Sequence, residues 1–332
     1  KIMPPKVSII IPVYNAGGYL VRCLDSVVSQ TLKDIEIILV LDNPTDGSDL
    51  VAEEYSQKDS RIKIIKNEKN LHIGCSRNKG LEIAQGEYVG FADHDDYCQP
   101  EMFEMLYKNA VEFQADVVVS DYCDEKQNGI DYFGFPTGLT NEEFKVRLFD
   151  ALISGRQSQP NIRTFDNVNV IWNQLYKQEF LVNYNINFSD NRILTMEDVL
   201  FNIKVHHYAK QVRYIPEAFY HHITNGQNEF QNYSYRAIDK VMPHLVEVFD
   251  FLVKEDLYQH FKKSFTICTL KRLYTSYRNE VRFKGILASF GFFEKVRSHS
   301  KLREILNKFK DNPLWKNELA LTKRVFLMIV SK

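Results

Sequence analysis

The sequence predicts an α/β protein with a mostly parallel sheet buried on both faces, and three observations predict it. Short apolar, β-branched runs recur through the first 125 residues. Stretches with helical spacing of their apolar positions separate them. The runs are continuous rather than alternating, which is the pattern of strands covered by helices on both sides. Val7 to Val13 (VSIIIPV) opens the series, and Gly17 to Gln30 follows as a helix with Leu20, Cys23, Leu24 and Val27 on one face. Ile35 to Leu41 reads as the second strand and Asp46 to Gln57 as the second helix, with Asp46 placed to cap it. Arg61 to Lys66, Gly74 to Ala84, Tyr88 to Ala92 and Pro100 to Phe113 continue strand, helix, strand, helix, and Val117 to Ser120 closes the alternation.

From 126 to 225 the pattern loosens into loops rich in Asn and Gln, the WNQLY stretch at 172–176, and TMEDVLFNIKVHH at 195–207, whose Val199, Leu200 and Ile203 suit a helix. Beyond 230 the period is helical, through Pro243 to Val253, His260 to Arg282 and Ser300 to Lys310. The length of 332 residues suggests about two domains. The polar stretch NGQNEFQNYS marks the boundary, giving a first domain over 1–228 and a helical, basic region over 229–332.

Composition narrows the class. With 44% hydrophobic and 26% charged residues the chain is neither disordered nor collagen-like. Its net charge of -1 conceals an asymmetry: Lys254 to Lys332 carries 18 Lys/Arg against 7 Asp/Glu, and the remainder 24 against 36. A basic end on an acidic body suits an anionic membrane surface, with nucleic acid not expected as a partner; a solvated basic helical face is the plain alternative. Leu319 to Val330, with Lys323 and Arg324 among apolar residues, suits an interfacial helix, and equally a homodimer-forming or core-packing one. The five cysteines are scattered without a CxxC pair, which favours free thiols over a disulfide scaffold or a structural zinc site. No run approaches the roughly 18–20 apolar residues of a membrane span, and VSIIIPV is too short for a signal-peptide core. The expectation is a cytoplasmic protein, peripheral to the inner face of the plasma membrane.

In parallel sheets ligands bind beyond the carboxyl ends of the strands. That rule selects Tyr14 and Asn15 after the first strand, Asp42 after the second, and Asp93-His94-Asp95-Asp96 after the run ending GFA. Crowded carboxylates raise one another's pKa. Asp93 and Asp95 offer hard oxygen ligands to Mg²⁺ or Mn²⁺, with phosphate oxygens completing the shell, whereas a solvated acidic turn is the bland reading. Asp96 reads as support for the turn into the next helix. Asp42 suits a hydrogen bond to a nucleobase or ribose. Arg77 suits a diphosphate, with a surface salt bridge as the alternative. Glu197-Asp198 opens an apolar helix, where a carboxylate serves as a general base or simply complements the helix dipole. Trp172 and Tyr176 suit stacking on a sugar ring, or core packing. His221 and His222 suit a metal or a diphosphate, or packing.

Taken together, VSIIIPVYNAGGYLVRCLDSVVSQTLKDIEIILV, the RNKGL of Arg77 to Leu81, GEYVGFADHDDY, WNQLY and MEDVLFN resemble the family-2 glycosyltransferases, in order and spacing, across residues 5–225. The resemblance implies the GT-A fold, a Rossmann-like sheet flanked by helices, here with a C-terminal helical extension. It implies transfer of a sugar, with inversion, from a nucleotide-diphosphate donor such as a UDP-sugar to a hydroxyl of a glycan or lipid-linked acceptor, assisted by Mn²⁺ or Mg²⁺. By that resemblance Asp93 and Asp95 match the DxD motif, Asp95 as metal ligand and Asp93 near the ribose or donor. Asp198, beside Glu197, matches the catalytic base. Asp42 matches one of the paired acids at the nucleotide base, and Pro12, Tyr14 and Asn15 match the nucleotide-lining turn. Trp172, Asn173 and Tyr176 fall where acceptor contacts are expected. The chain departs from the pattern at Leu41, where the first of the paired acids is usual, and at Leu71 and His72, where a Gly-rich turn is common. The loss at Leu41 motivates an alternative, a nucleotide-sugar-binding protein without catalysis, against which the retained Asp95 and Asp198 stand. A nucleotidyltransferase would need a basic, Gly-rich phosphate loop, and Pro12 to Gly18 holds no Lys or Arg.

Overall fold

The computed structural model describes residues 4–155, 163–165, 168–224, 236–285 and 287–310. The expected alternation is present: β1 (Val7–Val13), α1 (Tyr19–Val28), β2 (Ile35–Leu41), α2 (Ser48–Lys58), β3 (Ile62–Lys66), α3 (His72–Ile83) and β4 (Tyr88–Phe91). A two-residue β5 (Tyr97–Cys98), α4 (Met102–Glu112), β6 (Val117–Lys126) and β7 (Gly129–Phe133) follow. Then come α5 (Asn141–Ser154), β8 (Gln174–Lys177), α6 (Gln178–Asn183), α7 (Glu197–Tyr208) and β9 (Val212–Ile223). Four helices complete the described residues: α8 (Ile238–Lys254), α9 (Tyr258–Lys284), α10 (Ala288–Ser298) and α11 (Ser300–Lys310).

The strands join in one sheet, ordered β3-β2-β1-β4-β8-β6-β9-β5, with β7 paired to β6. From β3 to β4 every pairing is parallel. Beyond β4 the sheet is mixed. The short β8 runs antiparallel to both β4 and β6, so β6 is not the direct parallel continuation that its apolar run suggested. β9 then pairs parallel to β6, across a register shift at Asp121. β1 and β2 are buried along their whole length, because α1, α2 and α3 cover the sheet. Where α3 crosses β1, Gly80 allows the contact: a Cβ there would lie 2.4 Å from the Ile10 side chain.

The chain divides into two compact units. The first comprises 1–149, 157–191 and 197–226 and holds the sheet. The second comprises 150–156, 192–196 and 227–332; in its described part, α8 to α11 enclose a core that includes Phe249, Phe265, Phe292 and Phe309. The expected boundary stretch and Leu319 to Val330 lie outside the described residues. Among the described residues no helix is long and apolar enough to cross a membrane. None of the five cysteines forms a disulfide.

At the amino ends of the strands, a buried carboxylate fastens the sheet. Glu36 in β2 accepts from the Ser8 hydroxyl of β1 (2.5 Å), the Gln85 amide (2.5 Å) and Lys63 of β3 (2.6 Å). Burial alone would raise its pKa, but the Lys63, Ser8 and Gln85 bonds outweigh burial and lower it from the ordinary 4.5. A depressed folded-state pKa stabilises the fold above the ordinary value and ceases to do so as pH falls through the folded value. Glu36→Gln is therefore expected to be less stable than wild type at neutral pH in urea denaturation, with the gap shrinking below pH 4.5. A gap that stays constant with pH would exclude the ionised carboxylate as its source.

Candidate active site

The opposite ends of the strands converge on one set of loops. Residues 14–17, after β1, are tied to the loop before α2. Asn15, at φ +47°, accepts the Thr45 amide on its side-chain oxygen (2.8 Å), and the Gly17 amide donates to Asp46 (2.8 Å). Asp46 also accepts the Ser48 amide at the start of α2, but from one position before the N-cap, which is Gly47 and not the expected Asp46. Burial opposes ionisation of Asp46, yet these bonds hold its carboxyl below the ordinary range. Tyr14 is left 44% exposed beside this staple. Asp42, at the end of β2, is buried; its Oδ1 accepts from Asn67 (2.8 Å) and from the Leu71 backbone (2.7 Å). Leu71 thus contributes through its amide, a role its side chain does not signal. Leu41 is the last residue of β2 and lies in the core.

After β4 the chain turns through Asp93–Asp96, with the Asp96 amide donating to the Asp93 carbonyl (3.2 Å). The three acids are unequal. Asp96 is 1% exposed and fixed by two donors, the Tyr220 hydroxyl (2.9 Å) and the Ile223 amide (2.8 Å), both from β9. That same Tyr220 oxygen accepts the Asp93 amide (2.9 Å). Asp96 is thus a structural residue, as expected, although its partners lie on β9 and not on the following helix. His94 donates from Nδ1 to the Pro12 carbonyl (3.1 Å), joining the turn to β1. Asp95 has no ion-pair partner among the described residues. Burial raises its pKa and so does Asp93, while His94 and His222 act in the opposite sense.

Arg77, on α3, brings the distant motif to this turn. Its Nη2 donates to Asp93 (2.8 Å) and its Nη1 to Glu197 (2.9 Å), and its guanidinium lies over the Phe188 ring at 5.3 Å. Burial alone would lower its pKa, but Asp93, Glu197 and Asp198 raise it, so it is a fixed cation. This geometry departs from both sequence readings. Arg77 is 3% exposed, hence no surface ion pair, and both terminal nitrogens are occupied by carboxylates rather than open to a diphosphate. The second oxygen of Glu197 accepts from Asn191 (2.5 Å), whose own side-chain oxygen accepts the Gly74 amide (2.8 Å). Position 74 has no room for a side chain: a Cβ would meet the Ser189 carbonyl at 2.4 Å. Glu197 is thereby held from two sides, whereas Asp198 is half-buried in the first turn of α7 with Oδ1 accepting the Val199 amide (2.8 Å). Met196, immediately before the pair, has φ +61°, a strained conformation of the kind that accumulates at functional sites.

The expected acceptor residues need correction. Tyr176 is fully buried, its hydroxyl bonded to Asn202 (3.2 Å), and Asn173 is 1% exposed and bonded to the Ser120 carbonyl. Trp172 is 6% exposed, stacked on Tyr220 (4.3 Å) and on His222 (5.7 Å). WNQLY is core because its residues enter β8, between β4 and β6. His222, by contrast, belongs to the site: Nδ1 meets Asp124 at 3.0 Å. Burial opposes its charge, but Asp124, Asp96 and Asp93 prevail and push its pKa up to about 9. His221 instead packs on Tyr97 (4.3 Å) and bonds Glu125 (2.8 Å).

No group of three or more His, Cys, Asp or Glu side chains among the described residues is arranged to hold a metal ion. The donor set present fits a divalent cation whose shell is completed by ligand oxygens. Asp95 offers hard carboxylate oxygens, its burial disfavours bare negative charge, and no side-chain cation among the described residues is paired with it.

The sequence model described as Glycosyl transferase family 2 matches residues 8–148. The chain is 28% identical to the putative glycosyltransferase EpsH of Bacillus subtilis over 296 residues, 89% of this chain and 82% of EpsH. Among solved structures, S. aureus TarS 1–349 in complex with UDP aligns with a TM-score of 0.67 at 19% identity, over 98% of this chain and 90% of that one. The Pyrobaculum calidifontis mannosyltransferase PcManGT, in complex with GDP-Man and Mn²⁺, aligns with a TM-score of 0.54 at 13% identity, over 99% of this chain and 87% of that one. The family match runs from β1 into α5, so the chain carries a family-2 glycosyltransferase match over residues 8–148, and it shares the GT-A fold of these solved structures across nearly its whole length.

Proposed function

We propose that the protein transfers a sugar, with inversion, from a UDP-sugar to a hydroxyl of a glycan or lipid-linked acceptor. The observation that carries this reading is the Arg77 bridge. It joins Asp93 after β4 to Glu197 at the head of α7, 120 residues from Arg77, so the two acidic motifs face one locus. Asp198 takes the proton of the acceptor hydroxyl. The oxygen then bonds to the anomeric carbon from the face opposite the diphosphate, and the bond to the diphosphate breaks. Glu197 and Arg77 position the acids and exchange no proton. Pro12, Tyr14, Asn15 and Asp42 line the nucleotide, with Asp93 toward the ribose. His222, whose Nδ1 is held by Asp124, keeps its Nε2 for the diphosphate, whereas both terminal nitrogens of Arg77 are engaged. Asp95 would hold a divalent cation, and bound Mn²⁺ or Mg²⁺ would supply Lewis-acid stabilisation of the leaving diphosphate. UDP bound to TarS supports the choice of nucleotide, and Mn²⁺ bound to PcManGT supports the metal. The region 229–332 is assigned to acceptor and surface contacts rather than chemistry.

Calorimetric titration with UDP, with and without Mn²⁺, tests the proposal. Wild type is expected to bind UDP more tightly with Mn²⁺, and Asp95→Asn to lose that increment while keeping the metal-free affinity. An increment retained by Asp95→Asn removes Asp95 as the metal ligand.

A further inference from the structure

We propose that the α9–α10 corner is a wedge that docks the protein on an anionic lipid surface. α9 is buried over much of its length, but its last turn is not: Arg282, Phe283, Lys284 and Gly285 are all exposed. Gly285, at φ +82°, turns the chain toward α10. On the far side Leu287 is 76% and Phe290 73% exposed, although one turn onward Phe292 and Val296 are buried in the second unit's core. With Phe283, 51% exposed, three large apolar side chains are exposed at the end of α9 and the start of α10.

The flanking charge identifies the occupant. From Arg278 to Arg297 there are five Lys/Arg against two Asp/Glu, and all five basic side chains are exposed. Arg282 lies against the Phe283 ring at 5.5 Å. Lys295 also meets Asp239 (2.6 Å) in an exposed, easily screened pair, whereas Lys284 meets Glu280 (3.2 Å), whose side chain is buried. Exposed apolar side chains interspersed with exposed cations match the two chemistries of a membrane interface, acyl chains and anionic headgroups. A second copy of the chain fits less well. Three side chains of at most about 250 Å² each fall short of the roughly 800 Å² per partner, with polar rim, of a stable protein interface. A lipid surface requires no such complementary area. The purpose of the wedge rests on the proposed lipid-linked acceptor; its existence does not.

The test is co-sedimentation of the full chain with phosphatidylcholine vesicles and with vesicles containing phosphatidylglycerol. Wild type is expected to bind the anionic vesicles, less well as salt rises, and Leu287→Ser/Phe290→Ser to lose about tenfold or more of that affinity with unchanged UDP binding and melting temperature. Leu287→Trp is expected to shift its emission to the blue on adding anionic vesicles. Equal binding by the double variant, no vesicle binding by wild type, or a wild-type oligomer that the double variant dissociates would each overturn the proposal. UDP titration reads the nucleotide site and vesicle pelleting reads the corner, so either fails without the other.

Discussion

Asp198→Asn is expected to slow sugar transfer by about 10²- to 10⁴-fold, the range for loss of a positioned general base, while donor affinity stays near wild type. The carboxamide has nearly the same shape, and its oxygen can still accept the Val199 amide that holds Asp198 Oδ1 at 2.8 Å. The start of α7 is therefore preserved and only the ability to accept a proton is removed. The kinetic signature is a fall in kcat with little change in the KM for donor, because the interaction lost forms only as the acceptor hydroxyl ionises. Wild-type rates in this variant would place the base elsewhere. Glu197→Gln is no substitute for the experiment, since Glu197 also pairs with Arg77 and Asn191 and its loss disturbs geometry together with charge.

Arg77→Met is expected to lower stability by about 3 kcal/mol in urea denaturation, the lower end of the cost of breaking a buried ion pair. The lower end applies because Asp93 is 24% exposed, and water partly screens the carboxylate left behind; Glu197, at 7%, has no such relief. Methionine retains contact with Phe188, so the loss reads charge rather than volume. Arg77→Lys is expected to recover only part of it, since one ammonium cannot serve both carboxylates in the geometry of a planar fork. Against a typical domain stability of about 5–15 kcal/mol, this would be a large fraction. A change below about 1 kcal/mol, typical of surface pairs, would remove Arg77 as the link between the two motifs.

The parallel half of the sheet was legible in the sequence because β1 to β4 are continuous apolar runs, and continuity has one main physical cause: burial on both faces. The insertion of β8 was not, since Gln174 to Lys177 is too short and too polar to separate from a loop by periodicity. The same insertion accounts for the misreading of Trp172, Asn173 and Tyr176. An aromatic ring with a polar handle suits a sugar and a buried hydrogen bond equally, and only the fold decides which it meets. Asp93, Asp95 and Asp198 could be picked out by position at strand and helix ends. The contacts that fix the surrounding acids could not: Tyr220 on Asp93 and Asp96, Asn191 on Glu197 and the Leu71 amide on Asp42 act from residues with no sequence signal of chemistry. The His221-His222 pair did offer one, but nothing in the string distinguishes the member that faces the acids from the member that packs on Tyr97.

The strand order also sets a schedule for assembly. β1 to β4 pair with neighbours near in sequence, and such contacts close early because the loops they bridge are short. β8 and β9 come later in the chain, so until they are made β4 is paired on one side only, with β1, and β6 only with β7. Arg77 meets Asp93 across 16 residues but Glu197 only across 120. During that interval Arg77 has half of its neutralising charge, and the locus lacks Glu197, Asp198 and the Tyr220 anchor. Nascent chains that stop short of β8 therefore carry a completed Rossmann-like half with an open edge at β4, a species for chaperones to hold rather than an enzyme of reduced activity.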